Sequence, residues 1–317
     1  MAKASDRAQV RVLGKRPARV VWWGRFLGRD ALIGYLFVLP IVLVLGGIVG
    51  VPFLYAIWIS FHDKILGFPE TPFVGLAHYT SLLAGSEYWH AAELSLVYTA
   101  TCIAAKFGLG FTCALILAQP LPARGLLRGM VMLPWASPAI VVVVVWFFLL
   151  NDVNGVFNWL LVWSGLLSAP ISWVGRPDTA LATLIGISIW RGFPFWAITL
   201  LAALQSVQQE LYEAAAIDGA TAIRQLWHIT LPGIRPVLLV VALLSTIWTF
   251  NEFTVLWALT RGGPADATTV LPVLSYKVAM IGGELGRGAA ISISVMPILL
   301  ILIGLLVRTL SAEEGKA

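Results

Sequence analysis

Residues 205–234 read QSVQQELYEAAAIDGATAIRQLWHITLPGI and lie between two long hydrophobic runs of the chain. In and just before the first half, Leu204, Val207, Leu211, Ala215 and Asp218 recur at the three- to four-residue spacing of one helical face. Gly219 then offers a break that a residue without a Cβ makes cheaply. A second helical pattern follows, formed by Ile223, Leu226, Trp227, Ile229 and Leu231, and it ends before Pro232. The segment therefore predicts a helix, a tight turn and a second helix, which would form a compact knob.

The composition on both sides of this segment is that of a membrane protein. Of the 317 residues, 59% are apolar and only 12% are charged, which lies far outside the range of soluble domains. A net charge of +5 would favour nucleic-acid binding in a soluble protein, but here the basic residues lie mostly at the ends of hydrophobic runs. Eight of them fall in residues 1–30, which we interpret as a basic cytoplasmic tail facing anionic membrane lipids. We expect membrane lipids, and no nucleic acid, as partners.

The hydrophobic runs predict an all-α integral membrane domain over residues 31–310, followed by a short cytoplasmic tail at 311–317. A transmembrane helix needs about 20 apolar residues. The runs that meet this length lie at about 33–60, 95–118, 130–150, 181–204, 236–258 and 289–309. Prolines inside the runs, such as Pro134 and Pro138, predict kinks. Residues 153–167 are apolar but too short to cross, which favours a helix lying at the membrane surface over a further span.

The distribution of basic residues predicts the orientation of these roughly six spans. With the N-terminus inside, 14 of the 21 Lys and Arg residues lie on the cytoplasmic side and 5 on the opposite side. Because cytoplasmic loops are enriched in Lys and Arg, both chain termini are predicted to be cytoplasmic. The hairpin at 205–234 then also faces the cytoplasm. The remaining two basic residues, Lys106 and Arg191, lie inside spans.

The residues of the hairpin also resemble a known signature. Glu213, Ala214 and Ala215, followed by Gly219 and by Ile229, Thr230, Leu231 and Pro232, closely resemble the EAA signature of ABC importer permeases. Three further motifs resemble the sugar permease branch of binding-protein-dependent importers, and the maltose and trehalose permeases most. They are 132-MLPW-135, 190-WRGFP-194, and 262-GGP-264 with Ala267, Thr268 and Thr269.

This resemblance implies a type I ABC importer permease-like fold in a bacterial inner membrane. In that family the hairpin docks into a groove on an ATPase subunit, so the coupling role is implied for Glu213, Ala214, Ala215, Asp218 and Gly219. The implied partners are a second, homologous permease that completes a heterodimer, two ATPase subunits and an extracytoplasmic sugar-binding protein. Because the chain contains no phosphate-binding loop, ATP and Mg are expected on the ATPase partners and no cofactor in this chain.

Polar residues inside the spans are the candidates for the substrate pathway, since ionisable groups in a membrane are costly. On the fifth run Ser245, Trp248 and Glu252 share one helical face, and Asn251 is displaced from it. An aromatic side chain beside hydrogen-bonding groups suits a sugar. Two interpretations remain open, namely sugar contact or polar packing that includes an Arg191–Glu252 pair. The candidate pathway residues are Trp190, Arg191, Trp248, Asn251 and Glu252.

No enzymatic or metal chemistry is indicated by the sequence. It contains no nucleophile-and-base constellation, and its four histidines show no metal-ligand spacing, so we expect no catalytic residues and no metal site. The predicted function is translocation of a sugar, such as the disaccharides trehalose or maltose, by alternating access. A glycerol phosphate permease of the same branch is an alternative. An ion-coupled secondary carrier is another, although Glu252 is the single carboxylate well inside a predicted span.

Overall fold

A computed structural model describes residues 29–314, so nearly all of the predicted basic tail at 1–30 and the last three residues lie outside the described residues. The described part is helical, and its only β pairings are two isolated bridges, His62 with Phe73 and Ile65 with Glu284. The α-helices are Arg29–Leu45, Val51–Ser60, Ala77–Ala84, Ser86–Ala118, Arg124–Ala136, Ala139–Leu149, Val156–Trp163, Pro177–Leu204, Gln209–Ile217, Ala222–Gln225, Leu231–Phe250, Thr254–Thr260, Leu271–Tyr276 and Leu285–Glu314. Short π-helical turns occur at Gly46–Gly50, Leu226–Thr230 and Lys277–Ile281.

The chain divides into two compact units, Met1–Tyr55 and Ala56–Ala317. In the described part of the first unit, an uncharged helical segment begins at Ile33 and continues to Ser60 in the second. Over residues 33–55 its side chains are exposed and almost all apolar, as in Phe37, which is 79% exposed. A helix that is apolar on all sides requires an apolar environment, so this exposure is typical of a lipid-facing span.

The centre of the second unit is the close pairing of two long helices, Ser86–Ala118 and Pro177–Leu204. A Cβ on Gly192 would lie 2.5 Å from Lys106 Cε, so the lysine stem occupies the space that a side chain at this position would need. A Cβ on Gly110 would collide with Trp196 Cβ and lie 3.1 Å from Phe193 O, so only glycine permits the two helices to approach this closely. Trp196 is 1% exposed, and its indole Nε1 donates to Ser245 Oγ at 3.0 Å, which connects this pair to the helix Leu231–Phe250.

The structure places helices over each predicted hydrophobic run. Four helical segments of the described residues are long and apolar enough to cross a membrane, or five if the bent pair Arg124–Ala136 and Ala139–Leu149 forms one span. This pair bends by 90° around Pro138, a far sharper change of direction than the kink expected from the sequence. The helix Leu285–Glu314 covers the last predicted run. The number of six crossings and the orientation of the termini stay predictions.

The hairpin differs from its sequence-based description at both ends. The preceding helix ends at Leu204 and a new one begins at Gln209, so Leu204 and Val207 do not belong to the first arm. The second arm does not end at Pro232, since helical structure continues from Ala222 to Phe250 through the π turn Leu226–Thr230. Pro232 lies just after the π turn, so the proline that lacks an amide donor coincides with a local departure from regular α-helix. The second arm is therefore the beginning of a long helix that crosses the unit.

Candidate functional site

The turn of the hairpin has the geometry that its glycine predicts. Asp218 caps the C-terminal end of the helix Gln209–Ile217, and the next residue, Gly219, has a φ of +75°. The Ala220 amide donates to Ala215 O at 2.9 Å, and the Gly219 amide to Ala216 O at 3.1 Å. These two bonds close a Schellman motif, in which a residue with positive φ, most often glycine, follows the helix end. Gly219 thus fixes the reversal between the two arms.

The surface of the knob, defined as residues 209–230, combines exposed apolar and acidic side chains. Ile217, Ile223 and Trp227 are 88%, 71% and 63% exposed. Glu213, Ala214, Asp218 and Gly219 are also exposed, whereas Ala215 is half-buried. A Cβ on Gly219 would meet no atom within 4 Å. Such clustered apolar exposure beside carboxylates is typical of a surface that another protein covers.

The knob is fastened to the helix that follows it. The hydroxyls of Tyr212 and Thr230 are 2.9 Å apart and form a hydrogen bond from the first arm to the π turn. Beside it, Val207 packs so closely on Gly233 that a Cβ there would lie 3.1 Å from Val207 Cγ2. These two contacts connect the knob to the base of Leu231–Phe250.

A polar cavity lies in the interior of the second unit, about 300 Å³ in volume. This volume is at the lower end of the range for small-molecule sites, about 300–1,000 Å³. Its charged and aromatic lining comes from four helices and one turn. Lys106 comes from Ser86–Ala118, Trp135 from Arg124–Ala136, Arg191 from Pro177–Leu204 and Trp248 from Leu231–Phe250, and Glu252 lies in the turn after that last helix. The lining residues are Lys106, Trp135, Ser188, Arg191, Gly192, Phe195, Ser245, Trp248, Thr249, Glu252 and Val255.

Two of the predicted pathway residues form an ion pair in this cavity. Arg191 Nη1 lies 3.2 Å from Glu252 Oε2, and the side chains are 28% and 18% exposed. The second carboxylate oxygen of Glu252 accepts the Val255 amide at 3.3 Å. Among the described residues no acceptor is bonded to the buried Nε of Arg191. The pair predicted as a packing interaction is thus present, yet both partners also line the cavity.

Lys106 adds a second cation to the cavity wall. Lys106 is buried, with 5% of its surface exposed, and its Nζ donates a hydrogen bond to Thr249 Oγ1 at 3.0 Å. Its aliphatic stem runs across Gly192, the residue next to Arg191. An ammonium has three donors, so Lys106 retains donors for a hydroxyl-rich molecule.

The aromatic part of the cavity is built by Trp248, Phe195 and Trp135. The rings of Trp248 and Phe195 meet edge to face at 5.1 Å, and Phe195 stacks on Trp135 at 5.9 Å. Trp248 is 50% exposed, so much of its ring is available to a ligand. Phe195 and Thr249 were not singled out from the sequence, although Phe195 directly follows the 190-WRGFP-194 motif. Ser245, which shares the Trp248 face, already accepts the Trp196 indole.

Trp190 and Asn251 lie outside the cavity lining. Trp190 packs edge to face on Trp146 at 5.5 Å, on a different side of its helix from Arg191. Asn251 is exposed, and its Nδ2 donates to Ile247 O at 2.8 Å. The structure therefore brings three of the five predicted pathway residues together, Arg191, Trp248 and Glu252. Among the described residues no group of three His, Cys, Asp or Glu side chains could hold a metal ion.

The 262-GGP-264 motif forms a compact turn between helices. The Thr269 hydroxyl lies 2.9 Å from Gly262 O and 3.0 Å from Asp266 Oδ1, and it can donate to either. The Lys277 ammonium donates to Asp266 and holds the pKa of that carboxyl below its usual value. Threonine hydroxyls and one ion pair thus close a loop whose glycine φ is +86°.

Comparison with known proteins matches this arrangement to one family. The family model described as the binding-protein-dependent transport system inner membrane component matches residues 107–312. The trehalose/maltose transport system permease protein MalF of Thermococcus litoralis is 38% identical over 265 residues, 84% of this chain and 89% of that protein. The diacetylchitobiose uptake system permease protein DasB of Streptomyces coelicolor is 32% identical over 300 residues, covering 90% of this chain and 88% of that protein.

The fold matches solved structures of the same class. The crystal structure of a bacterial ABC transporter involved in the import of the acidic polysaccharide alginate aligns with a TM-score of 0.76. The alignment covers 91% of this chain and 97% of that chain at 22% identity, which shows a shared fold. The all-α permease fold and the multi-pass membrane location predicted from the sequence are thereby confirmed. The chain belongs to the family of binding-protein-dependent transport system inner membrane components, and it is an ABC importer permease of the sugar-transport type, as its motifs predicted.

Proposed function

We propose that the chain is the membrane-spanning permease subunit of an ATP-driven importer that carries a disaccharide such as trehalose or maltose. The observation that supports this best is a physical connection between the two sites. One continuous helical run, Ala222–Phe250, contains Thr230, which holds the knob, and Thr249, which holds Lys106 at the cavity. Nineteen residues separate them, about 28 Å along a helix. We therefore treat this helical run as a lever that connects the knob at one end to the cavity at the other.

The cavity chemistry favours a sugar. The half-exposed Trp248 ring can stack on the C–H face of a pyranose, while Lys106, Arg191 and Glu252 supply donors and acceptors for hydroxyl groups. Two relatives, named for trehalose/maltose and for diacetylchitobiose, carry disaccharides by their printed names. Glycerol phosphate transport and ion-coupled transport are not favoured, because the named relatives are sugar permeases of ABC systems.

The partners and the source of energy follow from the knob. Its exposed Ile217, Ile223 and Trp227, flanked by Glu213 and Asp218, would seat in a groove of an ATPase subunit. Two such ATPases would bind ATP and Mg, a second homologous permease would complete the heterodimer, and an extracytoplasmic binding protein would deliver the sugar. ATP-driven closure would shift the two knobs and switch the cavity between inward-facing and outward-facing states. Such a switch requires contacts that differ between the two states, and the docked knob provides them.

Reconstitution tests this function. The chain is purified with its partner permease and ATPases, placed in vesicles, and supplied with the binding protein and a panel of labelled mono- and disaccharides. We expect uptake that requires both ATP and the binding protein and that is greatest for a disaccharide. A vesicle without ATP serves as the control. Uptake in that control, or uptake driven by an ion gradient, would overturn the proposal.

A further inference from the structure

The segment between Asp152 and Arg176 is unusual for an extramembrane loop, because none of its 23 residues is charged. It contains the helix Val156–Trp163, which at 8 residues is about 12 Å long and cannot cross a bilayer core of about 30 Å. The segment precedes Pro177–Leu204, and the knob follows the other end of that helix. It therefore lies at the end of the membrane helix opposite to the knob.

One face of this short helix is apolar and open. Trp159 and Trp163 are 63% and 75% exposed, and their rings stack in parallel, 6.0 Å apart with an interplanar angle of 9°. Exposed aliphatic residues extend the same surface on both sides, namely Val153, Val156, Leu160, Val162 and Leu166. Among the described residues, none accepts a hydrogen bond from either indole N–H. We define this exposed surface of residues 153–166 as the tryptophan face.

The opposite side of the helix is locked to the protein by Asn158, which is 2% exposed. Its Nδ2 donates to the carbonyls of Asp152 and Ile171, at 3.2 and 2.9 Å, and its Oδ1 accepts from the Ile171 amide and the Trp173 indole. Thr179 of the long helix donates to Ser172 O at 3.0 Å. These bonds hold the tryptophan face at a fixed orientation to Pro177–Leu204, the helix that carries Arg191.

An apolar groove runs beside the same helix. It has a volume of about 520 Å³, and its walls include Trp146, Leu150, Phe157, Leu161 and Ile187. Arg176 and Asp178, both more than half exposed, form an ion pair at the start of the adjoining long helix, and Asp178 contributes to the groove wall. An apolar channel with a charged end has the chemistry of a lipid, whose acyl chain and headgroup differ in the same way.

We propose that the tryptophan face lies in the lipid headgroup and acyl boundary and anchors the outer end of the helix Pro177–Leu204 to the bilayer. Tryptophan is enriched at this depth because its ring is apolar and its N–H can reach polar groups. A sugar platform is less favoured, because Val156, Leu160 and Val162, which flank the two tryptophans, are aliphatic and offer no partner for hydroxyl groups.

Depth measurement by spin labelling tests this proposal in the assembled transporter. Cys102 and Cys113 are replaced by Ala, a nitroxide is attached at Trp163→Cys, and collisions with oxygen and with a water-soluble nickel chelate are compared in phospholipid vesicles. Glu70→Cys, in an exposed loop, is the aqueous reference, and Val44→Cys, on an apolar helix, is the bilayer-core reference. We expect an intermediate value that corresponds to about 5–10 Å below the headgroups.

A second measurement uses the native cysteines. Lipids brominated near the headgroup quench tryptophan fluorescence, and the quenched fraction is expected to fall in Trp159→Phe/Trp163→Phe. It is expected to stay unchanged in Trp227→Phe, whose indole lies on the knob and is similarly exposed. Three results would overturn the proposal. They are collisions equal to the aqueous reference, which indicate a soluble partner or sugar; collisions equal to the core reference; or low collisions with both oxygen and the nickel chelate, which indicate burial against the partner permease.

Discussion

The knob and the cavity show two ways in which a membrane protein builds a site. The knob is formed by residues 209–230, which are near neighbours in sequence, and its turn is fixed by Gly219 and two backbone hydrogen bonds. The cavity is formed by residues from five helices and the turn at Glu252, and its Lys106–Thr249 contact joins positions 143 residues apart. A local site depends on backbone geometry, whereas a site between helices depends on packing. Substitutions in the knob should therefore impair ATPase association, whereas substitutions in the cavity should impair stability or substrate interaction.

The largest effect is expected for Gly219→Val in the knob. A β-branched residue at φ +75° is strained by roughly 1–2 kcal/mol, and its side chain would project into open space where an ATPase would dock. We expect loss of ATPase association and at least a tenfold loss of uptake, with normal membrane insertion. Copurification of the ATPase and vesicle uptake measure this.

Gly67→Val is the matched control for that variant. Gly67 also has a positive φ, +85°, and open space around its Cβ position, but it lies outside the knob. If Gly67→Val lost ATPase association to the same extent, or if Gly219→Val retained it, the docking role would be wrong.

In the cavity, replacing either partner of the Arg191–Glu252 ion pair should destabilise the folded protein. Arg191→Gln leaves Glu252 with an uncompensated charge in a partly buried site, and Glu252→Gln does the reverse. Each single variant is expected to lower the free energy of unfolding by about 1–3 kcal/mol. The double variant should recover part of this loss, because no unpaired charge remains. Thermal unfolding in detergent measures the change.

The exposed pair Arg176–Asp178 provides the comparison for the cavity pair. Its side chains are 56% and 59% exposed, so Arg176→Gln should change stability by about 0–1 kcal/mol. A double variant at 191 and 252 that is less stable than both single variants would contradict the pairing argument.

Trp248→Ala should weaken substrate interaction while the fold persists, because this residue is half exposed and lines the cavity. An aromatic contact is worth about 0.5–1.5 kcal/mol, so the sugar concentration for half-maximal uptake should rise by roughly 2-fold to 13-fold. Trp89→Ala, with a side chain of similar exposure outside the cavity, is the control. Unchanged uptake kinetics in Trp248→Ala would assign this face to packing alone.

The link between the two regions can be tested with Tyr212→Phe. This change removes the 2.9 Å hydrogen bond to Thr230, worth about 1 kcal/mol, and leaves the exposed knob surface intact. We expect unchanged ATPase association but fewer sugars carried per ATP hydrolysed. Tyr88→Phe loses a hydrogen bond of the same length, to Ser294, and should not change that ratio. Equal ratios in both variants would sink the lever interpretation.

The smallest effect is expected in the turn after the GGP motif, which belongs to neither region. Because Lys277 lowers the pKa of the Asp266 carboxyl, the pair contributes stability at neutral pH that is lost as the pH falls through the lowered pKa. Asp266→Asn should therefore melt slightly below the parent protein at pH 7, and the difference should vanish in acid. A difference that persisted or grew below the pKa of a free carboxyl would contradict this ion pair.

The sequence alone determined the class of protein, the helical runs, and the hairpin with its glycine turn. Each of these depends on composition or on residues a few positions apart, for which helical periodicity and the φ preference of glycine are sufficient. The family signature likewise lies within one short segment, from Glu213 to Pro232. The hairpin boundaries were less predictable, because Leu204 and Val207 continue the apolar spacing although the helix breaks between them.

Only the tertiary structure decided which polar residues meet. Trp190 and Arg191 are adjacent in sequence, yet Arg191 lines the cavity and Trp190 packs on Trp146. Periodicity gives the faces of a helix but not their rotation toward a neighbour, which is set by close contacts such as Lys106 on Gly192. The pair of Arg191 with Glu252 and the bond of Lys106 to Thr249 therefore had to be observed. Packing, and not spacing, placed them in one cavity.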